Sequence, residues 1–217
     1  LPLWLAKKGG GGRPASASGP QVRAKGRHWQ NSGTAGDERM SNMTEVKIIF
    51  TGTMGAGKTT AINAISEIKT ISTEAVATDE TAQRKETTTV GMDYGEVTVD
   101  EGLVLRLYGT PGQRRFRHMW EILAKGALGF VILVDNARPS PLEDLSIYLD
   151  NFKNHIAASA AVIGVTRTDV SAQPDIDAYY QYLAEREEMH PVMTVDVRRR
   201  EDVLMLLDSL LLSREFE

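Results

Sequence analysis

Eight consecutive residues, Gly52-Thr53-Met54-Gly55-Ala56-Gly57-Lys58-Thr59, combine glycines, one amine and one hydroxyl at a spacing that suits a bound phosphate. Gly52 lets the chain leave the apolar run 46–51 in a tight turn. Gly55 and Gly57, with the small Ala56 between them, let successive backbone N–H groups curl round a phosphate, where the N-terminus of a following helix adds its positive end. Lys58 is a mobile point charge for the terminal phosphates, and the Thr59 hydroxyl is a hard oxygen ligand suited to Mg²⁺. Thr60 completes this candidate set. From average composition such a string arises by chance in roughly 1% of chains this long, so the motif implies nucleotide binding.

Four further clusters carry groups that could act on the same ligand. They are Thr87-Thr88-Thr89-Val90-Gly91, Tyr108-Gly109-Thr110-Pro111-Gly112-Gln113-Arg114-Arg115-Phe116, Val165-Thr166-Arg167-Thr168-Asp169 and Val195-Asp196-Val197-Arg198. Something must hold them together. From residue 44 onward β-type apolar runs alternate with helix-like stretches, the pattern of a parallel sheet with helices on both faces. Strands are expected at 46–51, 92–99, 103–108, 128–134, 161–165 and 192–195. Helices are expected from Lys58 and at 114–125, 142–155, 175–186 and 201–213. Asp100-Glu101-Gly102 reads as a hairpin turn, so one strand runs against the others. The expected fold is α/β: three layers around a six-stranded, mostly parallel sheet with one antiparallel edge strand. Val203, Leu206, Leu207, Leu210 and Leu211 form an apolar stripe on the last helix, better suited to packing on the sheet than to docking a partner.

In order and spacing these clusters resemble the motifs of Ras-like GTPases of the P-loop NTPase superfamily. Gly-Thr-Pro-Gly-Gln and Thr-Arg-Thr-Asp look like the bacterial Mgl-type and conservon small GTPases. The resemblance implies a cytoplasmic GTP/GDP switch that hydrolyses GTP slowly with Mg²⁺, and that works with a roadblock-type regulator or another GTPase-activating protein and with downstream effectors. It implies that Asp169 accepts hydrogen bonds from guanine N1–H and the 2-amino group, a donor pair adenine lacks. Thr166 and Arg167 belong to the same base motif. Asp196, Val197 and Arg198 stand in the guanine loop, with the Val197 N–H meeting O6. Thr89 and Gly112 would meet the γ-phosphate through their N–H groups, with Thr89 as a second Mg²⁺ ligand beside Thr59. Gln113 would orient the attacking water, with Lys58 and the Gly112 amide stabilising charge. Outside that setting, Asp169 reads as a loop or cap aspartate and Gln113 as a solvated residue at a helix start.

Three departures from the pattern point to slow turnover. Gly109 stands where an acidic residue usually serves the metal, with Asp135 as a candidate substitute through water or else ordinary architecture. Met54 can crowd Gln113, and Pro111 removes one N–H and stiffens its loop. Two alternatives remain open: a GTP-binding scaffold read out by occupancy with negligible hydrolysis, and a small-molecule kinase, against which stands the lack of an arginine-bearing lid. Arg84 or Lys85 could serve as a finger in cis, although a solvated charge is the simpler reading; Trp120 could touch the 109–116 segment or simply pack.

Composition sets the outer bounds. At 217 residues with 41% hydrophobic and 25% charged, the chain can bury a real core. Residues 1–42 carry seven Lys or Arg against Asp37 and Glu38, a net of +5, so the remainder carries −9 of the total −4. An acidic 43–217 domain argues against nonspecific nucleic-acid binding. Glycine runs and Pro, Ser and Arg make 1–42 read as a disordered basic tail, with the natural folding unit expected to start near Met40 or Met43. Zero cysteines exclude disulfides, thiolate zinc sites, prenylation and palmitoylation, so no direct membrane anchor is expected. The four histidines show no metal spacing.

Overall fold

The computed structural model describes residues 44–72, 91–100 and 103–215. The basic tail 1–42, the 87–91 cluster up to Val90 (with Thr89), and Arg84 and Lys85 lie outside the described residues.

Seven strands form one sheet in the order β2-β3-β4-β1-β5-β6-β7. These are β1 (Thr44–Gly52), β2 (Ile71–Ser72), β3 (Asp93–Asp100), β4 (Leu103–Gly109), β5 (Ala127–Asp135), β6 (Ala161–Thr166) and β7 (Val192–Thr194). The described helices are α1 (Lys58–Ile65), α2 (Arg117–Ala124), α3 (Pro141–Ala157), α4 (Ile176–Glu185) and α5 (Arg200–Glu215). All six expected strands are present, and β3 pairs antiparallel with β4 as the hairpin requires. The seventh, β2, is a two-residue addition that pairs antiparallel along the outer side of β3. It lies in a polar stretch whose two residues are both exposed, so no buried face marked it as a strand.

Alternation along the central strands divides the core. Ile48 and Phe50 of β1, with Val131 and Leu133 of β5, face α1 and α5, where they meet Ile62, Ile65, Leu206 and Leu210. Ile49, Phe130, Ile132 and Val134 face the opposite way, onto Trp120, Tyr148, Leu149 and Phe152 of α2 and α3 and Tyr179 of α4. Burial on both faces is why β5 and β6 read as unbroken apolar runs. The leucine stripe of α5 packs inward, with Val203, Leu206, Leu207 and Leu210 at most 1% exposed.

The loops that matter leave the sheet on one side. β1, β4, β5 and β6 all end there, at Gly52, Gly109, Asp135 and Thr166, and the antiparallel β3 starts there at Asp93. In open α/β sheets the crevice outside these strand ends is where ligands sit.

Candidate functional site

The loop from Gly52 to Gly57 takes the backbone shape its glycines permit. Gly52, Gly55 and Gly57 have φ of 140°, 84° and 98°. A Cβ on Gly52 would lie 2.2 Å from the Leu133 carbonyl oxygen, and one on Gly57 would lie 2.7 Å from Val197 Cγ2. Glycine is therefore required at both positions by close approach as well as by φ. α1 begins directly afterwards with Gly57 as N-cap, no side-chain cap and no acidic residue in its first turn. Its first N–H groups are thus left to a ligand, as an anion site needs. Lys58 is buried, and its amine donates to the carbonyls of Gly52 (2.9 Å) and Thr53 (2.8 Å). It is held at the mouth of the loop by groups that a phosphate would supplement or replace.

The 109–116 segment lies across this loop. Thr110 is locked to β1, its N–H donating to the Phe50 carbonyl (2.9 Å) and its hydroxyl to Thr51 Oγ1 (2.9 Å). Gly112 rests on the phosphate loop, where a Cβ would lie 2.6 Å from Met54 N and 2.9 Å from Lys58 Nζ. Gln113 is exposed, and its amide approaches Met54 Sδ at 3.9 Å, so the crowding expected of Met54 is realised as a direct contact. Residues 114–116 form a 3-10 turn before α2, so the expected helix starts later than Arg114. Pro111, with no N–H to give, uses its carbonyl: Trp120 Nε1 donates to it at 2.7 Å. Trp120 thus packs in the core, against Tyr148 and Phe152, and also holds this segment.

A cavity of about 590 Å³ opens from the phosphate loop, between Gly55–Gly57 and Thr60 on one side and residues 166–170 and 194–198 on the other. It brings Thr166, Arg167, Asp169, Asp196, Val197 and Arg198 together with the loop. Thr166 is buried, its hydroxyl within bonding range of the carbonyls of Val134 (3.1 Å) and Ala56 (3.3 Å). Arg167, at φ 57°, donates to the Gly55 carbonyl (3.2 Å) and pairs with Asp135 (3.0 Å). Its guanidinium is therefore a strut between loops, and only its stem is left for a base. Arg198 forks onto Asp196 through two bonds of 2.8 Å and adds its own N–H (3.0 Å), holding the Asp196 carboxyl down at about 2. The same guanidinium reaches Asp169 at 3.8 Å across the cavity mouth.

Asp135 is engaged by protein groups through both of its oxygens. One oxygen accepts from the Ala137 N–H (3.0 Å) and the other pairs with Arg167, so it organises the strand ends.

Two residues escaped the sequence reading. Asn136 is buried; its amide donates to the carbonyls of Ser171 (2.7 Å) and Pro174 (3.1 Å), and Tyr179 donates to its oxygen (2.7 Å). It pins the loop that carries Asp169. Asp93, also buried, accepts a hydrogen bond of 2.5 Å from the Thr59 hydroxyl, and its other oxygen, Oδ1, is buried with no partner among the described residues. A signal for Asp93 existed: counting back along the hairpin from its turn sets it opposite Gly109.

Among the described residues no group of three or more His, Cys, Asp or Glu could hold a metal unaided. The residues present nonetheless fit Mg²⁺ bound alongside phosphates: a threonine hydroxyl beside the loop, backed by a buried carboxylate with an orphaned oxygen. Among the described residues no helix is long and apolar enough to cross a membrane.

Phosphate loop, helix N-terminus and adjoining cavity at the strand ends of a mostly parallel sheet define the class: a nucleotide-binding α/β protein of the P-loop type. A family model described as "Conserved hypothetical ATP binding protein" matches residues 69–210, well over half of the chain, and the chain belongs to that family. The match starts after the phosphate loop and takes in the 109–116 segment and both base-side loops. An uncharacterized protein of Methanocaldococcus jannaschii is 30% identical over 104 residues, 48% of this chain and 59% of that one. A Ras-related protein of Arabidopsis thaliana is 25% identical over 117 residues, 52% of this chain and 48% of its own. The chain spans about half the length of the curated relatives it matches.

Proposed function

We propose that this protein is a guanine-nucleotide switch of the small-GTPase type that binds GTP and hydrolyses it slowly to GDP and phosphate. The observation that carries the reading is the cavity beside the phosphate loop with the Asp169 carboxylate at its mouth. Guanine offers that carboxylate two neighbouring donors; adenine presents it with none at N1 and no 2-amino group. The family's description names ATP, and the similarity to a Ras-related protein points toward the guanine reading.

In this reading the loop amides of 55–59 and Lys58 hold the β- and γ-phosphates. Thr59 holds Mg²⁺, joined by Thr89, and the ion supplies charge neutralisation at the phosphates. Gly112 offers its N–H to the γ-phosphate, and Gln113 orients the water for in-line attack. Thr60, Ala56 and the stem of Arg167 line the base and ribose side, and Val197 N–H meets guanine O6. The subgroup would be the Mgl-type or conservon GTPases, working in the cytoplasm with a roadblock-type regulator and effectors that read the switch loops.

A second reading, an occupancy-sensing GTP scaffold with negligible hydrolysis, draws on the Gln113 amide resting on Met54 sulfur rather than over the loop. The test is nucleotide identity followed by single-turnover hydrolysis. Binding of labelled GDP at least about 10²-fold tighter than labelled ADP is expected, with Asp169→Ala erasing that preference. Slow release of phosphate that Gln113→Ala abolishes supports the switch. Stable GTP with no release supports the scaffold, and a preference for ADP rules out both.

A further inference from the structure

Residues 195–199 join β7 to α5, and each backbone N–H of such a connection needs an acceptor from the protein, from water or from a ligand. Asp196 makes a turn of its own. Its Oδ1 accepts the Arg198 N–H (3.0 Å), and its carbonyl accepts the Arg199 N–H (2.9 Å). The Val195 N–H donates to the Val165 carbonyl (2.9 Å), and the Asp196 N–H donates to Asp202 Oδ2 (2.9 Å) in the first turn of α5. That leaves the Val197 N–H, which has no acceptor among the described residues. Val197 is 9% exposed and lines the cavity. Its side chain packs in the core and beside Gly57, which fixes the residue against the phosphate loop. A nearly buried N–H without an acceptor is costly until a ligand completes it.

We propose that Asp202 is a positioning residue for base recognition: by holding the Asp196 N–H from α5, it keeps the Val197 N–H free and fixed for the 6-oxo group of the base. The inference rests on the guanine reading above. Without the Asp202 oxygen the Asp196 N–H would be an orphan as well. The loop would then have to turn its peptides to find acceptors, and the Val197 N–H would move with them. Asp202 suits this task. Its side chain is 15% exposed, and its other oxygen reaches only as far as Arg199 Nε at 3.7 Å, so the bond to Asp196 is its short attachment. The helix that carries it is anchored on the sheet through Val203, Leu206, Leu207 and Leu210.

A free N–H at this place matches the 6-oxo group of guanine and opposes the 6-amino group of adenine, which offers a second donor. Asp169 and Val197 thus read different atoms of one base, and Asp202 acts on the second reading alone. The competing account is that Asp202 only supplies negative charge to the first turn of α5, where a carboxylate stabilises a helix start, with no bearing on the base.

Analogues altered at one position of the base separate the two accounts. The full chain holding mant-GDP is titrated with GDP, IDP, 6-thio-GDP and ADP as competitors. IDP lacks the 2-amino group that Asp169 would bind; 6-thio-GDP keeps that group and replaces the 6-oxygen by sulfur, a weaker acceptor. Asp202→Ala should reduce the preference for GDP over 6-thio-GDP by about tenfold and leave the preference for GDP over IDP within about twofold of wild type. Asp202→Asn keeps an oxygen for the Asp196 N–H and should keep both preferences. Asp202→Ser, whose hydroxyl is too short to reach that N–H, reads the same quantity if Asp202→Ala fails to fold. An unchanged preference for GDP over 6-thio-GDP in the folded Ala or Ser variant overturns the inference. So does an equal loss in Asp202→Asn, which assigns the effect to charge at the helix start. A wild-type chain that prefers GDP to IDP but not to 6-thio-GDP also overturns it, and leaves the guanine reading of Asp169 standing. A wild-type chain with no preference for GDP over IDP and ADP overturns that reading and the inference with it.

Discussion

Met54 shows how one side chain can set a rate. It is 67% exposed, so its thioether contributes little to the fold, yet it sits on the loop where Gln113 would have to swing to meet a water. Met54→Ala should leave stability within about 0.5 kcal/mol, as exposed substitutions usually do. It should raise single-turnover GTP hydrolysis by about tenfold, inside the ~10²-fold penalty that a 1 Å misplacement can carry. Phosphate release measured for Met54→Ala, Gln113→Ala and the pair checks this, since the gain must vanish when Gln113 is absent. At the same scale, Arg198 has two attachments of unequal strength: a forked pair to the more sheltered Asp196 and a long reach to Asp169. A base entering the cavity must displace only the weaker one.

Between elements, the 109–116 segment is held at two points near its start. One end is stitched to β1 through Thr110, and the next residue hangs from α2 by the Trp120–Pro111 hydrogen bond. The indole is 1% exposed, so its N–H and the proline carbonyl have each other in place of solvent. Trp120→Phe keeps an aromatic ring against Tyr148 and Phe152 but orphans that carbonyl. It should cost about 1–3 kcal/mol for the lost bond, beyond any loss of packing. Amide exchange in 112–116 should quicken more than exchange in β4 if the bond restrains the segment. Hydrogen-exchange mass spectrometry before and after nucleotide loading is the check. On the base side Asn136 plays the matching part, tying the loop after β6 to α4 through Tyr179.

For the molecule as a whole, stability and site lie on the same frame. The layer of α1 and α5 backs both the phosphate loop and the 195–198 loop, through Ala56, Val195 and Val197, and the layer of α2, α3 and α4 packs on the other face of the sheet. His190, between α4 and β7, links packing on that second side to pH. Burial holds its imidazole below 6.5; Glu188 pulls the other way and Arg186 pushes it further down. The unfolded chain therefore takes up a proton as pH falls through about 6.5, while the folded chain resists until lower pH. This contribution to stability is full above that value and is lost as pH drops below it. The urea midpoint should fall between about pH 7.5 and about pH 5.5, and His190→Gln should flatten that slope. Urea titrations of both proteins across this window test the sign.

How much was legible in the chain follows from how local each cause is. The glycine spacing of the phosphate loop is a backbone requirement, so 52–59 could be read directly; Gly52 and Gly57 are the positions where φ and crowding both demand it. The strands and helices were legible for a similar reason: burial on one or both faces imposes a period on neighbouring residues. β2 was not, because its two exposed residues carry no period. The partnerships of side chains were beyond sequence, since they depend on which strand lies beside which. Asp135 had the right chemistry and turned out to be paired with Arg167. Asp93 lies 34 residues from Thr59 and meets it only because an antiparallel strand begins where its parallel neighbours end. The chain by itself determined a phosphate-binding loop on an α/β sheet, because those needs are written in consecutive residues. Only the tertiary structure decided which carboxylate backs the Thr59 hydroxyl and where Gln113 rests, because strand order and register bring those distant groups within reach.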